Sequence, residues 1–337
     1  MRLLVTGGAG FIGSNFVRYW SQSHPKDRVV VLDALTYAGC RESLNDLGSW
    51  VTFVEGDIGD TALVTQLLRD HKVDVVVNFA AESHNSLAIL DPKRFFQTNV
   101  ISTLGLLEAC REVGVGRFHH VSTCEVYGDM ELDSTDSFTE SSPYLPRTPY
   151  NASKAGSDHA VRSYHYTYGL PISITNCANN YGPYQFQEKI IPLFTTNALD
   201  NLPLPLYASV NNRREWIHAL DHARAIDLVI EQGMEGETYH VGTSVEKSIV
   251  EIADQVLSLL GKPESLKTLV PDRPSHDRRY LLDSTKIRST LGWEPLIDFD
   301  KGLSETVQWY FDNRAWWEPL KGKAPVTEGV SSWSQNL

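Results

Sequence analysis

Cysteine is scarce in this chain. Only four occur in 337 residues, Cys40, Cys110, Cys124 and Cys177. None forms a CxxC pair or a Cys/His group at metal-ligand spacing, so a zinc module is excluded and no metal is expected. A disulfide framework is equally unsupported, and Cys110 and Cys177, in apolar contexts, read as core thiols. Long hydrophobic runs are missing: none reaches the roughly 18 residues that a membrane span needs. The first strand-like segment, RLLVT, begins at Arg2. That leaves no room for a secretory signal, and a cytoplasmic protein is expected. Positive charge is also short. Lys and Arg number 30 against 42 Asp and Glu, a formal net charge of −12, which repels a nucleic-acid backbone. No repeat or low-complexity segment interrupts the chain.

What is present reads as an ordinary globular protein, with 42% hydrophobic and 21% charged residues. The length suits one large domain or two modest ones. In the first half, RLLVT, VVVLD, VTFVEGD, VDVVVNFA and GRFHHVST are near-continuous apolar runs of strand length. Helical spacing separates them around Phe11–Ser21, Ala62–Asp70 and Phe95–Val113. Alternating helices with strands apolar on both faces predict an α/β fold, a Rossmann-type doubly wound parallel sheet. Further helical patterns lie near Lys189–Leu199, His218–Gln232, Ser248–Leu260 and Lys301–Tyr310, amid more Pro and irregular sequence. The expected organisation is a cofactor domain over 1–179, a smaller mixed α/β substrate lobe over 180–315, and a loose tail over 316–337.

LLVTGGAGFIGSNFV places Gly7, Gly10 and Gly13 directly after the first strand, at the start of a helix. Glycine is needed where backbone turns tightly, approaches a pyrophosphate and lets helix pack close to strand. The helix N-terminus then faces the phosphates. A glycine triplet alone also serves any tight turn. Here an acid, Asp33, ends the second strand about twenty residues past Gly13, where a dinucleotide site needs a ribose ligand. A carboxylate there repels a 2′-phosphate, which favours NAD over NADP. Asp57, at the end of the third strand, is placed to hold the adenine.

PYNASKAG gives Tyr150 and Lys154 at Y-x-x-x-K, one face of a helix. An ammonium beside a phenol lowers the phenol pKa, so the tyrosine can take a proton from a sugar hydroxyl. Together these motifs resemble the extended short-chain dehydrogenase/reductase family. LDALTYAG, NFAAESH, STCEVYGD, TPYNASKAGSDH, NNYGPYQFQEKIIPL, REWIHALDHARAI and RPSHDRRYLLD narrow the resemblance to the dTDP-glucose 4,6-dehydratases, from Met1 to about Tyr310.

The resemblance implies a redox-neutral lyase. Tyr150, assisted by Lys154 and Thr123, deprotonates the glucose C4 hydroxyl while hydride passes to NAD. Glu125 matches the base that removes the C5 proton, the C6 hydroxyl departs as water, and the hydride returns to C6. The family pattern reads Thr-Asp-Glu, with the aspartic acid protonating the departing oxygen. Here that position is Cys124. Its thiol carries a proton at neutral pH and can replace the acid. Alternatively Glu125 shuttles the proton alone, or Cys124 only fills space.

The resemblance further assigns Phe11, Ile12, Ile58, Ala80, Ala81 and Asn99 to the cofactor. It assigns Ser83, His84, Asn179, Glu188, Lys189, Pro205, Tyr207, Arg214, Arg273 and His276 to the nucleotide sugar. Arginine forks suit the diphosphate. It also implies a homodimer joined through helices at about Phe95–Val113 and Tyr150–Tyr168. Three departures lie near the substrate: Asn85 to Ala88 where Val-Asp-Arg-Ser is usual, Val245 for an Asn, and no Gly-Asp-Gly after Tyr207. A UDP-sugar 4,6- or 5,6-dehydratase is therefore an alternative. A non-catalytic NAD-binding sensor or scaffold is another, although Tyr150, Lys154 and Glu125 are all retained.

Overall fold

The structure is a computed structural model that describes residues 1–324. Its centre is a seven-stranded sheet built from β1 (Arg2–Thr6), β2 (Arg28–Asp33), β3 (Val51–Glu55), β4 (Val75–Asn78), β5 (Arg117–Thr123), β6 (Ile172–Cys177) and, much later, Thr238–Val241. All six pairings are parallel. β1 sits between β2 and β4, so the direction of winding reverses there and a crevice opens beyond the strand ends.

The apolar runs follow from burial on both faces. Leu3 and Val5 point into one core with Phe16, Trp20, Ala223 and Ile226, while Leu4 points into the other with Val64, Leu68, Leu106 and Val161. Successive residues of a strand alternate faces, so a strand covered twice must be apolar throughout.

The smaller lobe holds β7 (Asn179–Tyr181), β8 (Leu204–Tyr207) and β9 (Arg213–His218). The Thr238–Val241 strand of the large sheet is β10, and β11 (Glu246–Ser248) and β12 (Lys267–Val270) complete the set. β11, β9 and β7 form one sheet, and β12 pairs with β8. Its core joins Tyr181, Phe194, Trp216, Ile252, Phe299 and Leu303.

Three details differ from the sequence-based outline. The chain crosses between lobes after residue 180: helix Ala219–Gln232 packs on Phe11–Ser23, and β10 pairs with β6. The helix expected over Phe95–Val113 is interrupted by a π-helical turn at Gln97–Ser102. The expected loose tail starts well packed, with a short helix at Arg314–Trp317 and Trp317 fully buried. Residues 325–337 of that expected tail lie outside the described residues.

Candidate active site

At the end of β1 the chain turns through Gly7, whose φ of +65° is the left-handed region. A Cβ on Gly13 would lie 2.4 Å from the Gly7 carbonyl and 2.8 Å from the Gly8 Cα. Only glycine lets helix Phe11–Ser23 start this close to the loop. No side chain caps that helix, so its first N–H groups stay available to an anion. Asp33 ends β2 with Oδ2 accepting from the Ala9 N–H and Oδ1 from the Leu35 N–H, each at 2.9 Å. Burial pushes its carboxyl up and those donors oppose the shift. Each oxygen keeps a lone pair for a ribose hydroxyl. The resulting cleft, of about 310 Å³, is lined by Gly7, Gly10, Phe11, Ile12, Gly13, Asp33, Asp57, Ile58, Ala80 and Ala81. The uncapped helix and the glycine cradle fit a dinucleotide. Asn99 is not on this wall. The π-helical turn aims its amide at the Glu82 backbone and at Ser153 Oγ, 2.8 Å away, which braces the loop after β4.

The same cleft continues past Ser83, Thr123, Glu125, Tyr150, Lys154, Asn179, Glu188 and Lys189. Thr148 caps the Pro149–Tyr168 helix, which presents Tyr150 and Lys154. Lys154 Nζ donates to the Val121 carbonyl at 2.8 Å and lies 3.4 Å from His120 Nε2. Burial lowers the Lys154 pKa. The Tyr150 phenol is pushed well up by burial, then by Glu125, Cys177 and Cys124, against a hydrogen bond with Thr123 that lowers it. The activation of the phenol expected from Lys154 is thus not set by the protein alone, because the ammonium turns to Val121.

Thr123 ends β5, and a 3₁₀ turn at Cys124–Tyr127 follows, with the Thr123 hydroxyl accepting from the Glu125 N–H at 3.3 Å. Glu125 Oε2 accepts from Asn85 Nδ2 at 3.0 Å. Cys124 turns off the cleft wall into a cluster with Val126, Tyr127, Ala155, Tyr280 and Leu282. Burial, and Glu125 after it, hold its thiol well up. Cys177 is a buried core thiol as expected, and it also reaches the cleft wall. Its Sγ meets the Ser122 carbonyl and Asn180 Nδ2, each at 3.3 Å, and burial pushes the thiol up to about 12. Cys110 is buried in the core as expected.

Lys189 Nζ donates to the Ser83 carbonyl at 2.7 Å and lies 3.6 Å from Glu188. Tyr37 donates to Glu188 at 3.1 Å, His84 Nε2 is 3.8 Å from it, and burial pushes its carboxyl up. Arg214 donates to the carbonyls of Arg213, Asp277 and Arg278 and lies over the Tyr280 ring at 4.8 Å. Tyr280 in turn donates to Asp277. Burial lowers the Arg273 pKa and Glu125 opposes that shift; Arg273 Nε is buried without a partner, as are Tyr207 Oη and Asn179 Oδ1. His276 accepts or donates at Ser209 Oγ, 3.0 Å away, and its ring meets Tyr207 at 5.0 Å. Burial, Arg273 and Arg214 press its pKa down to about 3. Pro205 is on β8 beside Tyr207. Arg273 Nε and Tyr207 Oη are free donors that suit an anionic ligand, whereas Pro205, Tyr207, Arg214, Arg273 and His276 do not line the cleft described above.

Sequence reasoning missed Asn85, Thr148, Tyr37 and Cys177. Asn85 stood out only as a departure from pattern. Outside the cleft, His24, Asp227 and Glu231 cluster within 4.8 Å. There His24 Nε2 lies 3.0 Å from Asp227 and Nδ1 3.9 Å from Glu231.

The GDP-mannose 4,6 dehydratase family model matches residues 4–306. A dTDP-glucose 4,6-dehydratase from Xanthomonas campestris is 50% identical over 336 residues, covering 93% of this chain and 94% of that protein. DesIV, a dTDP-glucose 4,6-dehydratase from Streptomyces venezuelae with NAD and TYD bound, superposes with a TM-score of 0.92 at 51% identity, over 95% of this chain and 100% of that one. The dTDP-glucose 4,6-dehydratase of Bacillus anthracis in complex with NAD gives 0.89 at 44%, over 95% and 100%. With the glycine cradle, the Tyr150/Lys154 helix and Glu125 in one cleft, and relatives at this identity along nearly the whole chain, the protein belongs to the dTDP-glucose 4,6-dehydratase family.

Proposed function

We propose that the chain dehydrates dTDP-glucose to dTDP-4-keto-6-deoxyglucose and water with NAD as resident cofactor. The carrying observation is Glu125 in the same cleft wall as Tyr150 and Thr123. A fold that only oxidises at C4 needs the phenol; elimination across C5 and C6 needs a second base beside it.

Gly7, Gly10, Gly13 and Asp33 hold the cofactor, with Ile58 and Asp57 at its adenine end. Bound NAD supplies the acceptor for the C4 hydride, its donor to C6, and a positive charge that opposes the rise in the Tyr150 pKa. Tyr150, hydrogen-bonded to Thr123, takes the C4 hydroxyl proton. The ketone so formed acidifies the C5 proton, which Glu125 removes. Glu125, now a carboxylic acid, is a stronger acid than a buried thiol and protonates the departing C6 oxygen, so water leaves with a proton from C5. The proton held at Tyr150 returns through the site to C5 as C6 is reduced, and the enzyme is restored. Cys124, turned off the cleft wall, keeps its proton throughout; its role as the alternative donor would need the thiol to reach the sugar.

Arg214, Arg273, His276 and Tyr207 form the nucleotide-diphosphate end, supported by the unpaired Arg273 Nε and Tyr207 Oη, with Pro205 against the base. Ser83, His84, Asn179, Glu188 and Lys189 surround the hexose. The cofactor lobe comprises residues 1–179 together with 219–241, and the remainder to 315 forms the substrate lobe. The same proposal takes the protein as a homodimer joined through Phe95–Val113 and Tyr150–Tyr168, supported by exposed Ile101, Tyr166 and Tyr168. No helix among the described residues is long and apolar enough to cross a membrane. A cytoplasmic setting is part of the proposal, supported by four free thiols.

The test incubates the purified protein with dTDP-glucose, UDP-glucose and UDP-N-acetylglucosamine and follows loss of one water by mass spectrometry and NMR. A 4-keto-6-deoxy product from dTDP-glucose is expected. Glu125→Gln is expected to abolish water loss while still reducing part of the bound NAD. Turnover at the wild-type rate in that variant removes Glu125 from the mechanism, and a 5,6-ene from a UDP sugar replaces the substrate assignment.

A further inference from the structure

Asn85 begins the stretch that departs from the family pattern, and it touches the base. Its Nδ2 donates to Glu125 Oε2 at 3.0 Å. Its Oδ1 accepts from Thr148 Oγ1 at 3.0 Å. Thr148 Oγ1 in turn accepts from the Asn151 backbone N–H at 3.2 Å. Asn85 and Thr148 are both buried, 8% and 3% exposed.

The direction of this chain is fixed by chemistry. A carboxylate only accepts, so the Asn85 NH₂ group faces Glu125 and its Oδ1 faces Thr148. The Thr148 hydroxyl, which accepts from the Asn151 N–H, gives its own proton to that Oδ1. Thr148 thereby holds, from outside the base, the amide orientation that the base needs. Thr148 is also the N-cap of the helix that carries Tyr150 and Lys154. One cap thereby fixes the phenol, the ammonium and, through Asn85, the carboxylate.

We propose that Asn85 is a positioning residue for the elimination step: the Thr148–Asn85 relay pins Glu125 Oε2 and presents Oε1 to the C5 proton. This rests on the dehydratase reading above. A neutral amide suits the task, because it fixes direction without placing a full positive charge against the base, which would weaken it. Arg273, Tyr280 and Asp277 also feel the charge of Glu125, while Asn85 holds it by a hydrogen bond.

The experiment mixes the NAD-loaded full chain rapidly with dTDP-glucose. It follows the absorbance of reduced nicotinamide, which rises with C4 oxidation and falls after elimination, with dTDP-glucose deuterated at C5 as a second substrate. For Asn85→Leu and the isosteric Asn85→Asp, the rise and KM are expected within about twofold of wild type. The fall is expected to slow roughly tenfold to a hundredfold, the scale of a misplaced catalytic group, and to slow further with deuterium. Thr148→Val, which also removes the cap of the Tyr150 helix, is expected to slow both the rise and the fall, the fall by the larger factor, and Thr148→Ser to restore wild-type behaviour. A fall at the wild-type rate, or a rise and fall slowed by the same factor, overturns the relay. If Asn85→Leu does not fold, Asn85→Asp carries the same two outcomes. A wild type inactive on dTDP-glucose overturns the functional reading and the relay with it; an active wild type with unchanged variants overturns the relay alone.

Discussion

Trp317 offers a direct measure of how far the C-terminal region is part of the fold. Its side chain is fully buried. The indole N–H donates to the Tyr310 carbonyl at 2.7 Å, and its own carbonyl accepts from Gln187 Nε2 at 2.7 Å. Arg314 and Lys321 lie over its ring at 4.7 and 5.6 Å. Truncating a buried aromatic to alanine costs about 3–5 kcal/mol, of which about 1 kcal/mol is the indole hydrogen bond. Unfolding entropy of about 2.1 cal/mol/K per residue gives about 0.7 kcal/mol/K for a chain of this length. Trp317→Ala should therefore melt about 4–7 °C below wild type. The assay is calorimetry on the NAD-loaded protein, comparing the first transition, since a two-lobed chain of this size need not unfold in one step. Phe311→Ala is the control: it is as aromatic, but 60% exposed, and should shift melting by less than about 1 °C. A Trp317→Ala protein that melts within a degree of wild type, or a Phe311→Ala protein lowered as much, refutes the argument. Gln187 directly precedes Glu188 in the cleft, so the variant should also raise KM for the nucleotide sugar.

Two further outcomes concern the cleft itself. Gly13→Ala puts a Cβ against backbone atoms of Gly7 and Gly8 that cannot rotate away, so the protein should purify with NAD affinity reduced roughly tenfold or more; full NAD occupancy in that variant contradicts the cradle. Cys124→Ala should leave single-turnover water loss within about twofold of wild type if Glu125 supplies the acid, whereas a fall of tenfold or more gives that step to the thiol.

The large sheet was legible because burial on both faces removes ambiguity from the sequence. VVVLD and VDVVVNFA have no polar face to hide, and their strands run where the apolar runs predict. The small lobe was not. β7 and β11 have three residues each. β12 finds its partner β8 some sixty residues earlier, a pairing that no local pattern announces. Nor does any local signal say which sheet a helix will cover. Ala219–Gln232 shows clean amphipathic spacing, yet only the contacts of Ala223, Ile226 and Ile230 reveal that it returns to the first core. The π-helical turn at Gln97–Ser102 is similar: an apolar periodicity carries through it, while its effect is to swing Asn99 toward Glu82 and Ser153.

The site divides in the same way between local and distant order. Gly7, Gly10, Gly13, Tyr150 and Lys154 announce themselves because their chemistry lies in spacing along one element. Asn85 does not, since Glu125 stands 40 residues away and Thr148 another 63 from Asn85. Cys124 belongs to a third kind, legible only as one alternative among three. Thr123 and Glu125 both face the cleft. Between them β5 ends and a 3₁₀ turn begins at Cys124, and that turn sends the thiol away from the cleft, toward Ala155 and Tyr280. No local pattern in the sequence shows which way such a turn points its first side chain. A substitution there changes packing first, and chemistry only if the turn lets the thiol through.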